Sequence, residues 1–131
     1  MTLADWYAAL GGSYTEVMER LKKEELVIRF VEMFVKEDTL TKLKGAMKAG
    51  DEQAAFRAVH SLKSNCMSLG FPRLKIFAEA IAEPLRNGRL EEAMALLAPL
   101  EKEYERTVDA IQQLEQCEQA HKSGLKMISF S

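Results

Sequence analysis

An all-α fold, an antiparallel up-down four-helix bundle with short extra N-terminal helices, is what this sequence predicts. Three observations carry that expectation. Apolar residues recur at three- and four-residue spacing in segment after segment, and the strict alternation of a strand is absent. Only 7 glycines and 3 prolines interrupt 131 residues, so the periodic segments are long. The connections between them are short, which makes successive helices pack as antiparallel neighbours.

The elements follow in order. Residues 3–10 read as a short first helix ended by Gly11 and Gly12. Ser13 and Glu16 have the spacing of a capping box, and the second helix runs to about Lys22. Residues 24–37 carry Leu26, Val27, Phe30, Met33 and Phe34 as one apolar face. Residues 39–49 continue it with Leu40, Leu43 and Met47, after a break at Asp38-Thr39, where both residue types favour caps. Gly50-Asp51 reads as a helix stop and a new N-cap. The central helix spans 52–69 with a core stripe of Phe56, Val59, Leu62, Cys66 and Leu69. Gly70 closes it where a left-handed backbone is needed, and Pro72 suits the first turn of the next helix. That helix presents Leu74, Phe77, Ile81 and Leu85 and stops at Asn87-Gly88, with Pro84 expected to kink or shorten it. The last helix is expected from Leu90 to Cys117, with Met94, Leu97, Leu100, Tyr104, Val108, Ile111 and Leu114 inward and a bend at Pro99. Trp6 is expected to cover one end of the bundle. Residues 1–118 thus form one helical domain, and 119–131 are expected to be a flexible C-terminal tail.

Composition narrows the function classes. Net charge is −2, and the basic residues are scattered, so no field argues for nucleic acid or an anionic membrane. The longest apolar segment, 26–35, is interrupted by Arg29 and Glu32 and is too short to span a bilayer. The start of the chain lacks the basic and apolar regions of a signal peptide. Cys66 and Cys117 lack CxxC spacing, and a reduced, cytoplasmic setting is the expectation. Metal binding is not expected, since His60 and His121 are far apart and the paired Glu-x-x-His motifs of a di-iron bundle are absent. A monomer is expected because the pattern closes its own core.

The chemistry concentrates in His60-Ser-Leu-Lys-Ser-Asn-Cys-Met-Ser-Leu-Gly70. His60 lies off the core stripe, on a solvent face shared with Arg57, Ser64 and Met67, and Lys63 stands about 60° away. An imidazole is a nucleophile near neutral pH, a neighbouring ammonium stabilises phosphoryl charge, and a small residue one turn on lets a partner approach. Arg57, Asn65 and Met67 are candidate partner contacts. Leu69 and Phe71 either join an apolar rim around His60 or pack the turn that follows.

A longer span resembles the histidine-containing phosphotransfer (HPt) domain family over about residues 5–115. The resemblance rests on Ala49-Gly-Asp51, on Ala58-Val-His60-Ser-Leu-Lys63-Ser, on Leu69-Gly70 and on Leu74, with Phe30 and Phe34 where the family has a Phe-rich core. It implies that His60 is the phosphorylated residue, through its distal ring nitrogen. It also implies that Lys63 stabilises the phosphoryl group and that Ser64 is the small residue allowing approach. Met67 and Asn65 stand where many members carry smaller residues. Some members place a Gln or Glu about 22 residues after the histidine to orient the ring, and here that position is Ala82, near Glu79 and Glu83.

The resemblance thus implies a phosphocarrier of a two-component phosphorelay, without a kinase site. It would accept a phosphoryl group from one receiver-domain aspartate and pass it to another. Its partners would be response-regulator receiver domains and a hybrid histidine kinase, with Mg²⁺ on the receiver and no cofactor of its own. The alternative is a degenerate bundle that docks receivers without phosphotransfer.

Overall fold

Cap chemistry sets where the helices begin and end. The computed structural model describes residues 2–123, and these contain seven helices: α1 (Leu3–Ala9), α2 (Tyr14–Leu21), α3 (Glu24–Glu37), α4 (Thr39–Lys48), α5 (Glu52–Leu69), α6 (Pro72–Arg86) and α7 (Leu90–Ser123). A full capping box forms at α1, where the Thr2 hydroxyl accepts from the Asp5 amide and the Asp5 carboxylate accepts from the Thr2 amide. At α2 only half of the expected box is made: Ser13 Oγ accepts from the Glu16 amide at 3.2 Å. Asp38 takes a left-handed conformation (φ 47°, ψ 54°), so α3 and α4 form one leg broken at the expected place.

α4, α5, α6 and α7 close a ring, each packing on the next and α7 returning to α4. The Lys44–Glu101 ion pair joins α4 to α7 at 2.6 Å on the outside of that closure. α3 continues the first leg across one end, against α5 and α7. The interior is Leu43 and Met47 of α4, Val59, Leu62 and Cys66 of α5, Leu74 and Ile81 of α6, and Leu100 and Ile111 of α7, all buried.

The short N-terminal helices plug the end where α5 stops. Trp6 is buried as expected, and its indole N–H donates to the Ala110 carbonyl of α7 at 2.9 Å. The buried Tyr7 hydroxyl donates to the Leu69 carbonyl at 2.6 Å, satisfying an acceptor in the last turn of α5. Phe71 fills the space between, edge-on to both Trp6 and Phe34. Gly70 (φ +76°) turns the chain directly beneath this plug, with Val17 and Tyr7 against it.

Several expectations need correction. Phe30 and Met33 are 38% and 45% exposed, because α3 meets the bundle along a strip narrower than its apolar face and buries only Val27, Val31 and Phe34. On α5 the innermost early position is Ala55, and Phe56 is only half-buried at the edge toward α6. On α7 the inward residue is Ala93, while Met94, one step of 100° further round, is 51% exposed. Pro84 does not end α6, which runs on to Arg86 with Pro84 buried in its last turn. α7 continues past Cys117 to Ser123. The remainder of the tail expected over 119–131, residues 124–131, lies outside the described residues.

Candidate functional site

α5 is fixed at both ends before it presents anything to solvent. Asp51 Oδ1 accepts from the Ala54 amide at 3.0 Å, capping the start. At the far end, Arg20 of α2 donates to the Met67 carbonyl at 2.8 Å and to the Ser68 carbonyl at 3.3 Å, and Gly70 supplies the left-handed cap. The inner stripe of Ala55, Val59, Leu62, Cys66 and Leu69 then sets the helix's rotation. That rotation leaves Arg57, His60, Ser64 and Met67 exposed together on the opposite face, as the spacing predicts.

The flank facing α6 carries Lys63 and Phe56, about one turn to either side of His60. The Lys63 ammonium lies 3.8 Å from Glu79 of α6. One turn before His60, the Phe56 ring stacks toward the imidazole with centroids 6.3 Å apart and planes 21° from parallel. The Arg86 guanidinium of α6 sits 5.7 Å from the Phe56 centroid. These two bridges, Lys63 to Glu79 and Phe56 to Arg86, share one antiparallel register. That register brings Ala82 level with His60, and Ala82 is buried. Among the described residues no side chain hydrogen-bonds to the His60 ring.

The other expected contacts divide. Asn65 does not join the His60 face. It is half-buried on the side toward α3, where it lines a groove of about 280 Å³ with Phe30, Met33 and Ser68. Leu69 and Phe71 are buried at 5% and 2%, so they pack the turn and form no rim around His60. Met67, 52% exposed, is the apolar residue that remains on that face. Cys66 is core: burial pushes its thiol up to about 12, against a smaller opposing pull from Lys75, and it stays a protonated sulfur. No group of His, Cys, Asp and Glu among the described residues is placed to hold a metal ion. No helix among them is long and apolar enough to cross a membrane.

Phe56, Arg86 and the α3 groove are what sequence reasoning missed around the site. Phe56 is one turn before His60 on the same helix, which is a usable signal. Arg86 is visible only once the α5–α6 register is known.

Chemically, the face offers an exposed imidazole on a helix capped at both ends, with a primary ammonium one turn away. The model of the Hpt domain family matches residues 29–119, from within α3 to within α7. Comparison with curated proteins finds no match. Among solved structures, the crystal structure of histidine-containing phosphotransfer protein B (HptB) from Pseudomonas aeruginosa PAO1 superposes with a TM-score of 0.66. The two chains are 30% identical, and the match covers 86% of this chain and 91% of that one. A helical bundle, an exposed histidine on its central helix and a family match over most of the length agree: the chain belongs to the Hpt domain family, the histidine phosphotransfer proteins of two-component systems.

Proposed function

We propose that His60 is the phosphoacceptor: it takes a phosphoryl group from the aspartyl phosphate of one receiver domain and passes it to the aspartate of another. One observation carries the reading. His60 is the only histidine within the matched residues 29–119, and its side chain is exposed in the middle of α5.

The distal ring nitrogen, Nε2, attacks the phosphorus. A P–N bond forms, the P–O bond to the receiver's aspartate breaks, and the carboxylate leaves with the electron pair. The reverse arrangement delivers the group onward. Because the phosphoryl group arrives as a mixed anhydride, the chain needs no nucleotide site and acts as a carrier, not a kinase. Lys63 neutralises charge that builds on the phosphoryl oxygens, and Ser64 leaves room for the receiver's loops. Arg57 and Met67 are contacts for the docked receiver, with Asn65 at the edge toward α3. Mg²⁺ is held by the receiver's acidic pocket. The same reading takes the carrier to be cytoplasmic and monomeric, with a hybrid histidine kinase among its partners.

The test is transfer from receiver domains carrying labelled aspartyl phosphate. The reading expects label on this chain that is lost in acid, kept in base and mapped to His60. Binding of receivers without any label would instead support a degenerate docking bundle. Lys63→Gln refines the test. Its ion pair with Glu79 is long and solvent-exposed, so the substitution is expected to change stability by less than about 1 kcal/mol. Transfer is expected to slow about tenfold, because a cation next to the phosphoryl group is lost. Rapid-quench rates beside a denaturation curve check both halves.

A further inference from the structure

An exposed imidazole has two soft torsions, and only a fraction of its orientations point Nε2 outward to a partner. Something on the protein has to restrict that freedom for transfer to be efficient. Hydrogen bonding does not do so here, since no side chain among the described residues donates to or accepts from the ring. Ala82, level with His60 on α6, offers a methyl group. The ring lies beside Phe56, close to parallel at 21° with centroids 6.3 Å apart. Phe56 is itself held: half-buried against the core edge, with the Arg86 guanidinium 5.7 Å from its centroid.

We propose that Phe56 is a positioning residue for His60, and that Arg86 acts through it. The proposal rests on the reading of His60 as the acceptor. Phe56 forms an aromatic wall one turn below the imidazole. Contact with that wall fixes the plane of the His60 ring, which keeps Nε2 turned to solvent, while Arg86 ties the wall to α6. The order needed for in-line attack is thereby built from a stack rather than from a hydrogen bond. A stack leaves both ring nitrogens free of protein acceptors and donors.

The test uses the full chain, a labelled receiver and NMR of the His60 ring. Phe56→Leu keeps an apolar side chain at the core edge and removes the wall. It is expected to lower the maximal transfer rate about threefold to tenfold, with the half-saturating receiver concentration unchanged. The ring proton resonances of His60 are expected to move downfield as the neighbouring ring current is lost. Phe56→Tyr keeps the wall and is expected to transfer at the native rate. Arg86→Met, at an exposed position, is expected to slow transfer about twofold with the fold intact, which keeps the idea testable should Phe56→Leu unfold. Unchanged ring resonances and rates in Phe56→Leu and Arg86→Met, beside a labelled native chain, overturn the positioning role alone. A change confined to half-saturation overturns it in favour of a docking contact. A native chain that takes no label overturns the acceptor reading instead.

Discussion

His60→Gln is expected to take no label from any receiver domain that labels the native chain, while unfolding at nearly the native midpoint. The chemical half of this expectation follows from the proposal that His60 is the acceptor. A glutamine amide nitrogen has no available lone pair to attack phosphorus, and His60 is the only imidazole in the family-matched span. The structural half follows from where His60 sits. Its side chain is exposed, it accepts no hydrogen bond among the described residues, and its neighbour Phe56 keeps its contacts with the core edge and Arg86. Glutamine also suits a helix interior somewhat better than histidine. The change in stability is therefore expected to stay within about 0.5 kcal/mol. Autoradiography after transfer and a thermal melt by circular dichroism measure the two halves separately. Label persisting on His60→Gln would move the acceptor to another residue.

Gly70→Ala, ten residues along, is expected to do the opposite. At φ +76° a side chain strains the backbone, and an added Cβ would lie 2.6 Å from Val17 Cγ2 and 3.3 Å from Tyr7 Cε1. Neither neighbour can easily retreat. Val17 is fully buried, and Tyr7 is held by its hydrogen bond to Leu69 and by the Trp6 ring. Left-handed strain of about 1–2 kcal/mol and overpacking of about 1–3 kcal/mol point to a loss of roughly 2–5 kcal/mol. Denaturant unfolding reads it. A loss below about 1 kcal/mol would mean that α1 and α2 shift away without cost. The folded fraction is expected to accept phosphate normally, provided that it keeps the α5–α6 register that the Lys63–Glu79 and Phe56–Arg86 contacts mark. Two substitutions on one helix and its cap would then separate chemistry from stability.

What was legible in the sequence and what was not divide on physical grounds. The stop at Gly70-Phe-Pro72, the cap at Asp51 and the break at Asp38 could be read because those residue types carry local backbone preferences. The exposure of His60 could be read because it stands opposite a helical stripe that packs the interior. Phe30, Met33 and Met94 could not be placed correctly, because periodicity reports an apolar face and not how much of it a neighbour covers. The surroundings of the imidazole were out of reach for another reason. Lys63 meets Glu79, and Phe56 meets Arg86, only because the turn at Gly70 sets the slide of α6 along α5. A register between two helices is a tertiary quantity, and no window of sequence contains it. Phe56 therefore read as a core residue when it stands beside the ring.

The rigidity of α5 has a kinetic consequence for the proposed carrier. His60 is anchored mid-helix between an Asp51 cap and an Arg20-Gly70 cap, so the phosphoryl group cannot swing from one binding site to a second. Donor and acceptor receivers must occupy the same face in turn. On the proposed reading, relay through this chain is a ping-pong exchange in which each partner has to leave before the next arrives. Excess unphosphorylated receiver becomes a competitive inhibitor of loading, and the relative abundance of the two receivers, with their dissociation rates, sets the flux.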